Sequence, residues 1–313
     1  MRIITLLITF IVKSLADYLK IRLFMQKYMK ILKDIGELIV FKHSIFSLPF
    51  IFIAMIVYSS NLNGTMWFGW RLLFLGLIAA VSARNFAMSF NRWADRNIDK
   101  FNPRTASRPS VDGRITQKNI LIFICLNAVI FVVVAYCINS LAFYLSFPIL
   151  IILGGYSIFK RFSETAHLVL GLSLGMAPIA GAVAIGGDIP LWSLMLCIGV
   201  SYWVAGFDLL YSLQDMEYDK QNNLFSIPSK YGKDATFFIS KLFHFQTILF
   251  WLFFVYLADL GIWAYLGILI SAIILFWEHK IVAKDFSKID RAFFTLNGYL
   301  GIIFFIFIWF DRI

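Results

Sequence analysis

Residues 119–159 read NILIFICLNAVIFVVVAYCINSLAFYLSFPILIILGGYSIF, an apolar run broken near its middle by Asn139 and Ser140. A membrane-crossing helix needs roughly 20 predominantly apolar residues, so this run is twice the length of one crossing. The natural reading is a tight helical hairpin spanning a bilayer twice. Spanning β-strands would instead give short segments of alternating polarity, which this run does not.

The rest of the chain extends the pattern. Nine candidate spans fall at about 39–59, 66–90, 119–138, 140–159, 166–186, 190–212, 235–257, 260–280 and 291–310, with ends uncertain by about 2–4 residues. Pro49, Pro148 and Pro178 lie inside the first, fourth and fifth of these, where a bundle can satisfy the freed backbone groups. Hydrophobic residues make up 60% of the 313, including 34 Phe, and only 15% are charged, against roughly 25% in a soluble domain. A soluble globule could not hide that much apolar side chain, and disorder, collagen and coiled coil need far more polar or repetitive sequence. The fold class is therefore all-α: a polytopic membrane protein with nine transmembrane helices. Cys125, Cys137 and Cys197 all lie in apolar runs and match no metal or redox spacing, so they read as small buried hydrophobes.

The net charge of +10 has a topological explanation. Of the 28 Lys and Arg residues, all but Arg71 and Arg312 fall on one side of a nine-span arrangement. Positive charge collects on the cytoplasmic side, which places the N-terminus inside and the C-terminus outside. No nucleic-acid partner is needed to explain the charge. Residues 1–37 form a separate region before the nine-helix domain at 38–313. Ile3 to Val12 is too short to span, and Lys20, Arg22, Lys27, Lys30 and Lys33 alternate with apolar residues, as expected of a basic helix lying on the bilayer surface.

Chemistry concentrates in two acidic clusters. Asn91, Asp95 and Asp99 stand at i, i+4 and i+8; Asp208, Tyr211, Asp215 and Asp219 stand at i, i+3, i+7 and i+11. Each spacing places its residues on one helix face, at the cytoplasmic end of a span. Glu217 falls off the stripe and reads as a solvated neighbour. Stacked carboxylates repel unless a cation offsets them. Mg²⁺ is the fitting cation, because it takes oxygen ligands and commonly bridges one or two carboxylates to a phosphate. Arg92, Arg96, Lys100, Arg104, Arg108, Lys160 and Arg161 lie on the same side, as they would around a multiply charged anion such as a diphosphate.

These two motifs, with NPRTASRP (Asn102 to Pro109) and YSIFKRF (Tyr156 to Phe162), resemble the UbiA-type intramembrane prenyltransferases from about residue 30 to the end. HLVLGLSLGMAPIAG (His167 to Gly181), FWEHKIV (Phe276 to Val282) and FFTLNGYLG (Phe293 to Gly301) are most similar to the bacterial quinone branch, including members proposed for the futalosine route. The resemblance implies a bundle around a central cavity, in the cytoplasmic (inner) membrane, that moves a polyprenyl chain from polyprenyl diphosphate onto an aromatic carboxylic acid. It makes Asp95, Asp99, Asp215 and Asp219 the Mg²⁺ ligands. Asn91, Arg104, Arg108 and Arg161 would help hold the diphosphate, with Lys160 neutralising its departure. Tyr156 and Tyr211 are candidates for shielding an allylic cation. Asp208, deepest of its cluster, is the candidate base for the ring proton. One departure stands out: Val40 occupies the place before Phe41 where many relatives carry a basic residue, with Lys42 and His43 following, which leaves the cation for the acceptor's carboxylate open. The alternatives are a transporter of a metal ion or organic anion, which would usually place its carboxylates near the midplane, and another prenyl transfer such as haem farnesylation.

Overall fold

A computed structural model describes residues 18, 22, 24–26, 29–31, 33–39, 46–284, 289 and 292–313. Nine long helices run through them: α1 (Leu48–Asn63), α2 (Trp70–Ala94), α3 (Gln117–Ile138), α4 (Ser140–Phe159), α5 (Ala166–Gly186), α6 (Leu191–Ser212), α7 (Ile227–Leu257), α8 (Ile262–Lys284) and α9 (Asn297–Asp311). Among the described residues, eight helices are long and apolar enough to cross a membrane, whereas α1 has 16 residues and falls short. The expected count of nine crossings is corrected to that extent, and the difference arises at the start of α1. Pro49 stands in its first turn rather than inside a span, where its fixed φ and missing N–H suit a helix start. Val40 to Lys42 and His43 lie outside the described residues.

The α3–α4 hairpin is as tight as its sequence suggests. Asn139 alone separates the helices; its side-chain oxygen accepts the Ala142 N–H at 2.8 Å, and its amide donates to the Val183 carbonyl of α5 at 2.7 Å. An Asn cap of this kind is worth about 1 kcal/mol. Pro148 and Pro178 do sit inside α4 and α5. Cys197 is buried, but Cys125 and Cys137 are exposed, contrary to the expectation for all three. Both lie on α3, a helix apolar enough to cross a membrane, where an exposed cysteine can face lipid.

Packing places the elements around the site. Helix α5 packs tightly on α6, where a Cβ at Gly171 would collide with the Ser201 carbonyl and one at Gly175 with the Ser201 side chain. Small residues let backbones approach where no water-driven force holds helices together. Helix α1 crosses to α6, α7 and α9 through an aromatic core. Phe50 meets Trp203, Trp251 and Phe304 at centroid distances of 5.1, 5.6 and 6.3 Å, and Trp251 stacks on Phe304 at 4.4 Å. A buried polar chain crosses the same core: the Trp203 N–H donates to Asn297, whose amide donates to Glu278, at 2.8 and 2.6 Å. A second, smaller core joins α2, α3 and α4 through Phe86, Ile120, Ile124 and Leu153, and Leu38 inserts into it with 1% of its surface exposed. Arg114, in the loop after α2, clasps the segment carrying Leu38. It reaches both carboxylate oxygens of Glu37, at 2.6 and 2.9 Å, together with Asp34 at 3.3 Å and Asp112 at 2.6 Å.

Candidate functional site

Both acidic motifs fall where a helix breaks. Helix α2 ends at Ala94, Asp95 follows with φ −87° and ψ 1°, and a short helix resumes at Arg96–Asp99. Helix α6 ends at Ser212, a single 3₁₀ turn carries Leu213–Asp215, and Asp215 (φ −98°, ψ 0°) leads into Met216–Gln221. The expectation of one continuous helix face per motif is therefore corrected. The central Asp of each motif occupies the sparsely populated bridge region, which places its carboxylate at a corner between two helical segments.

At the first corner Asp95 is almost fully buried, with 2% of its surface exposed. It binds the Lys160 ammonium at 2.7 Å, the Arg161 guanidinium at 3.3 Å and the Asn91 amide at 3.0 Å. Arg161 also donates to the Ala94 carbonyl at 2.6 Å, which satisfies an end group of α2. Asp99 accepts from Arg108 at 2.6 Å. At the second corner Asp215 takes a two-pronged pair from Arg104, with Nε to Oδ1 at 3.0 Å, and an amide N–H from Asn102 at 3.1 Å. Arg104 further donates to the Tyr211 hydroxyl at 3.3 Å and lies 5.6 Å from the centre of its ring. Burial alone would lower the Arg104 guanidinium pKa, but pairing with Asp215 more than offsets this and holds it above its usual value.

The two motifs thus face each other. Asn102 and Arg104, from the loop after the first, grip the second, and the Tyr218 hydroxyl beyond the second donates to the Ile98 carbonyl at 2.8 Å. The Phe225 N–H donates to the Lys160 carbonyl at 2.8 Å, which ties in the α4–α5 loop. Asp219 lies beside Asp215 and bonds to Ser226. Glu217 is exposed, as its place off the stripe suggests. Asp208 stands apart from this network: its carboxylate meets His167 Nδ1 of α5 at 2.7 Å, and His167 Nε2 is buried without a hydrogen-bond partner.

Beneath the charged layer lies an apolar cavity of about 170 Å³ between α1, α2, α3, α4 and α5. Ala and Gly from α2 and α5 hollow it, and Leu145, Ile149, Leu153, Leu170 and Leu174 line it. Tyr156 lines it too, and interacts electrostatically with Arg92 and Asp95 above and with Arg84. Tyr156 therefore joins the cavity to the acidic site.

All twelve residues read from the sequence as site candidates are at this end of the bundle. Three neighbours were not read as site residues. Asn102 and His167 reach partners 113 and 41 positions away, beyond any spacing argument. Arg84 is hidden among 28 basic residues whose bias topology already explained. The donor set is carboxylate and amide oxygen throughout, which suits a hard divalent cation. Among the described residues no three His, Cys, Asp or Glu side chains converge closely enough to hold a metal by themselves.

The sequence profile of the UbiA prenyltransferase family matches residues 47–309. Two curated relatives named 4-hydroxybenzoate octaprenyltransferase are each 27% identical: one from Yersinia pseudotuberculosis serotype IB (strain PB1/+), covering 77% of this chain and 87% of that protein, and one from Aeromonas salmonicida (strain A449), covering 76% and 81%. Among solved structures, the apo UbiA homolog from Aeropyrum pernix K1 superposes with a TM-score of 0.77 at 30% identity, over 87% of this chain and 98% of that one. A UbiA homolog from Archaeoglobus fulgidus bound to DMAPP and Mg²⁺ has the same fold, with a TM-score of 0.70 at 17% identity over 89% and 99% of the two chains.

Proposed function

The chain belongs to the UbiA prenyltransferase family, and from that premise we propose that it transfers a polyprenyl chain from polyprenyl diphosphate to an aromatic carboxylic acid. The acceptor is of the 4-hydroxybenzoate or 1,4-dihydroxy-6-naphthoate type, the cofactor is Mg²⁺, and the product enters ubiquinone or menaquinone synthesis. The N-terminus faces the cytoplasm and the C-terminus the outside of the inner membrane, by the charge bias, with the short apolar α1 counted as the ninth crossing. One observation carries the reading: two facing carboxylate corners, each already supplied with Arg or Lys, adjoin an apolar cavity through Tyr156, which lines the cavity and interacts with Asp95.

The chemistry follows from that layering. Asp95, Asp99, Asp215 and Asp219 would hold the metal, which when bound neutralises negative charge on the departing diphosphate. Lys160, Arg161, Arg104 and Arg108 lie beside those carboxylates and turn their N–H groups to the phosphate oxygens, with Asn91 orienting Asp95. The polyprenyl tail lies in the apolar cavity, where water is excluded. The bond between the allylic carbon and the diphosphate oxygen breaks, a ring carbon of the acceptor bonds to that allylic carbon, and the proton displaced from the ring goes to Asp208. Tyr156 and Tyr211 present ring faces to the allylic cation. His167 fixes the Asp208 carboxylate by its 2.7 Å contact.

The test uses purified full-length protein with Mg²⁺, a polyprenyl diphosphate, and 4-hydroxybenzoate or 1,4-dihydroxy-6-naphthoate in turn. Prenylated product and released diphosphate in equal amounts, dependent on Mg²⁺, are expected with one acceptor. No product with either refutes the reading.

A further inference from the structure

One end of a buried imidazole beside the site has no partner. His167 stands at the start of α5 with 7% of its side chain exposed. Its Nδ1 meets the Asp208 carboxylate at 2.7 Å, and its Nε2 is buried and meets no hydrogen-bond partner among the described residues. Most buried polar side-chain atoms in folded proteins are paired, so the contact with Asp208 accounts for one nitrogen and leaves the other to be explained. His167, Leu170 and Leu174 stand at offsets of 3 and 7 residues and share one face of α5. The two leucines line the cavity. Three residues at about 1.5 Å each put His167 roughly 4.5 Å above Leu170 along the axis of α5, toward the acidic corners. It acts electrostatically on Asp219, as Lys160 does. His167 therefore stands between the cavity and the second corner, with Asp208 of α6 beside it.

An ionised carboxylate only accepts hydrogen bonds, so the contact with Asp208 places a hydrogen on Nδ1. In the neutral ring that leaves a lone pair on Nε2, and the imidazole becomes a base with a fixed orientation. A polyprenyl tail has no proton to give it. The aromatic acceptor has one, on its hydroxyl. A hydroxyl activates the ring carbon beside it, and does so more strongly as its proton leaves. We propose that His167 Nε2 accepts the proton of the acceptor's hydroxyl, with Asp208 holding the imidazole in the tautomer that can do so; this rests on the aromatic-acid reading given above. The steps balance. As the hydroxyl proton passes to Nε2, the ring carbon beside the oxygen bonds to the allylic carbon, and the electron pair of the allylic carbon–oxygen bond leaves with the diphosphate. The proton of that ring carbon goes to Asp208, and Nε2 then returns its own proton to the acceptor's oxygen. Hydroxyl and alkylated carbon are neighbours on the ring, as His167 and Asp208 are neighbours across α5 and α6.

The test compares wild type, His167→Asn and His167→Gln, in detergent with Mg²⁺ and a polyprenyl diphosphate. The acceptor is whichever of 4-hydroxybenzoate and 1,4-dihydroxy-6-naphthoate the wild type prenylates. Its derivative with chlorine beside the hydroxyl, which makes that hydroxyl more acidic, is run in parallel. An Asn amide reaches the place of Nδ1, keeps a donor to Asp208 and removes only the Nε2 end. A Gln amide reaches the place of Nε2 but cannot take a proton. Both variants are expected to lower kcat about 10²-fold or more, the scale of a lost general base, and to leave the KM for the diphosphate unchanged. Relative to wild type, each should lose several-fold less on the chlorinated acceptor, whose proton needs less help to leave. An imidazole that only braces Asp208 gives the opposite pattern: His167→Asn works nearly as well as wild type, or the loss is the same on both acceptors. Either result overturns the proposal while leaving the prenyltransferase reading intact. If His167→Asn does not fold, the ratio of the two acceptors in His167→Gln decides in the same way. Wild type that prenylates neither acceptor overturns both.

Discussion

Asp95 and Asp215 occupy equivalent corners but differ in burial, and that difference separates catalytic from structural roles. Asp95 has 3% of its side chain exposed and is held by Lys160, Arg161 and Asn91, whereas Asp215 has 21% exposed and pairs with an Arg104 that is 33% exposed. Asparagine keeps the shape of either residue and removes the charge. At Asp95 the loss of charge-assisted bonds to a buried carboxylate costs about 1–3 kcal/mol of stability, reduced because Lys160 and Arg161 are about a third exposed and solvent takes over part of their stabilisation. At Asp215 solvent takes up most of the difference, and the cost falls below about 1 kcal/mol. Activity should not follow that ranking. If both carboxylates hold the metal–diphosphate, each substitution removes charge stabilisation worth about 3–4 kcal/mol or more at the moment the diphosphate leaves, a fall in kcat of roughly 10²–10³-fold or greater. The assay is turnover beside the detergent melting temperature read by tryptophan fluorescence. Asp95→Asn should melt lower than Asp215→Asn while the two are equally inactive, and Glu217→Gln should match wild type in both readouts. Activity that tracks stability, with Asp215→Asn near normal, would refute the assignment.

Three further outcomes are expected. A reporter fused after Ile313 should read as external and one near Ser110 as cytoplasmic; a cytoplasmic C-terminus would mean a span is miscounted. Gly175→Val should lower the melting temperature by driving a side chain into Ser201 of α6, whereas Gly155→Ala, which meets nothing within 4 Å, should not. A chain starting at Met25 should insert and turn over normally at equal membrane abundance, since it keeps Asp34, Glu37 and Leu38; a large fall in turnover would instead make residues 1–24 a working part of the site. The Arg114 clasp adds a pH dependence to the same segment. Bonding to Arg114 lowers the pKa of Glu37 below its ordinary 4.5, and at Asp112 it outweighs the opposing effect of burial. Carboxylates lowered on folding stabilise above their ordinary values and lose that contribution as pH falls through the lowered ones. Cleavage of residues before Leu38 by an acid protease should therefore rise in acid before the bundle melts, and Arg114→Gln should show the same exposure at neutral pH to a neutral protease.

The sequence was most legible where one force dominates. Apolar length alone located the helices α2 to α8 to within a few residues, apart from α7, which starts earlier than expected, at Ile227, and α9 follows a π-helical turn at Ala292–Leu296 and starts six residues later than expected. That start is set by Ser226, whose capping box with Ser229 begins the helix, and by Gly232 at φ 79°, which bends it before the apolar stretch. The start of α1 was misplaced because Pro49 was counted as an interruption when it is a beginning. Paired carboxylates at helical spacing pointed to the candidate site, because repulsion among them has few remedies. The breaks at Asp95 and Asp215 left no local mark: neither is flanked by Gly or Pro. Partners such as His167 for Asp208 depend on which helices are neighbours, and hydropathy carries no record of that.

The Arg114 clasp also sets an order of assembly. Asp34 and Glu37 precede their partner by 80 and 77 positions, and between them lie α1 and α2. A ribosome making the chain therefore delivers the Leu38 segment first and its docking site much later, after both helices have entered the bilayer and the following loop has emerged. Loop closure adds only about 0.6 kcal/mol for each doubling of length, so waiting costs the contact little in free energy. What it costs is time, during which the earliest residues lie unpartnered at the membrane surface, and the core that receives Leu38 is complete only when α3 and α4 have packed. The first described segment of this chain is thus a late arrival in its own fold, and its docking reports that the first half of the bundle has been built.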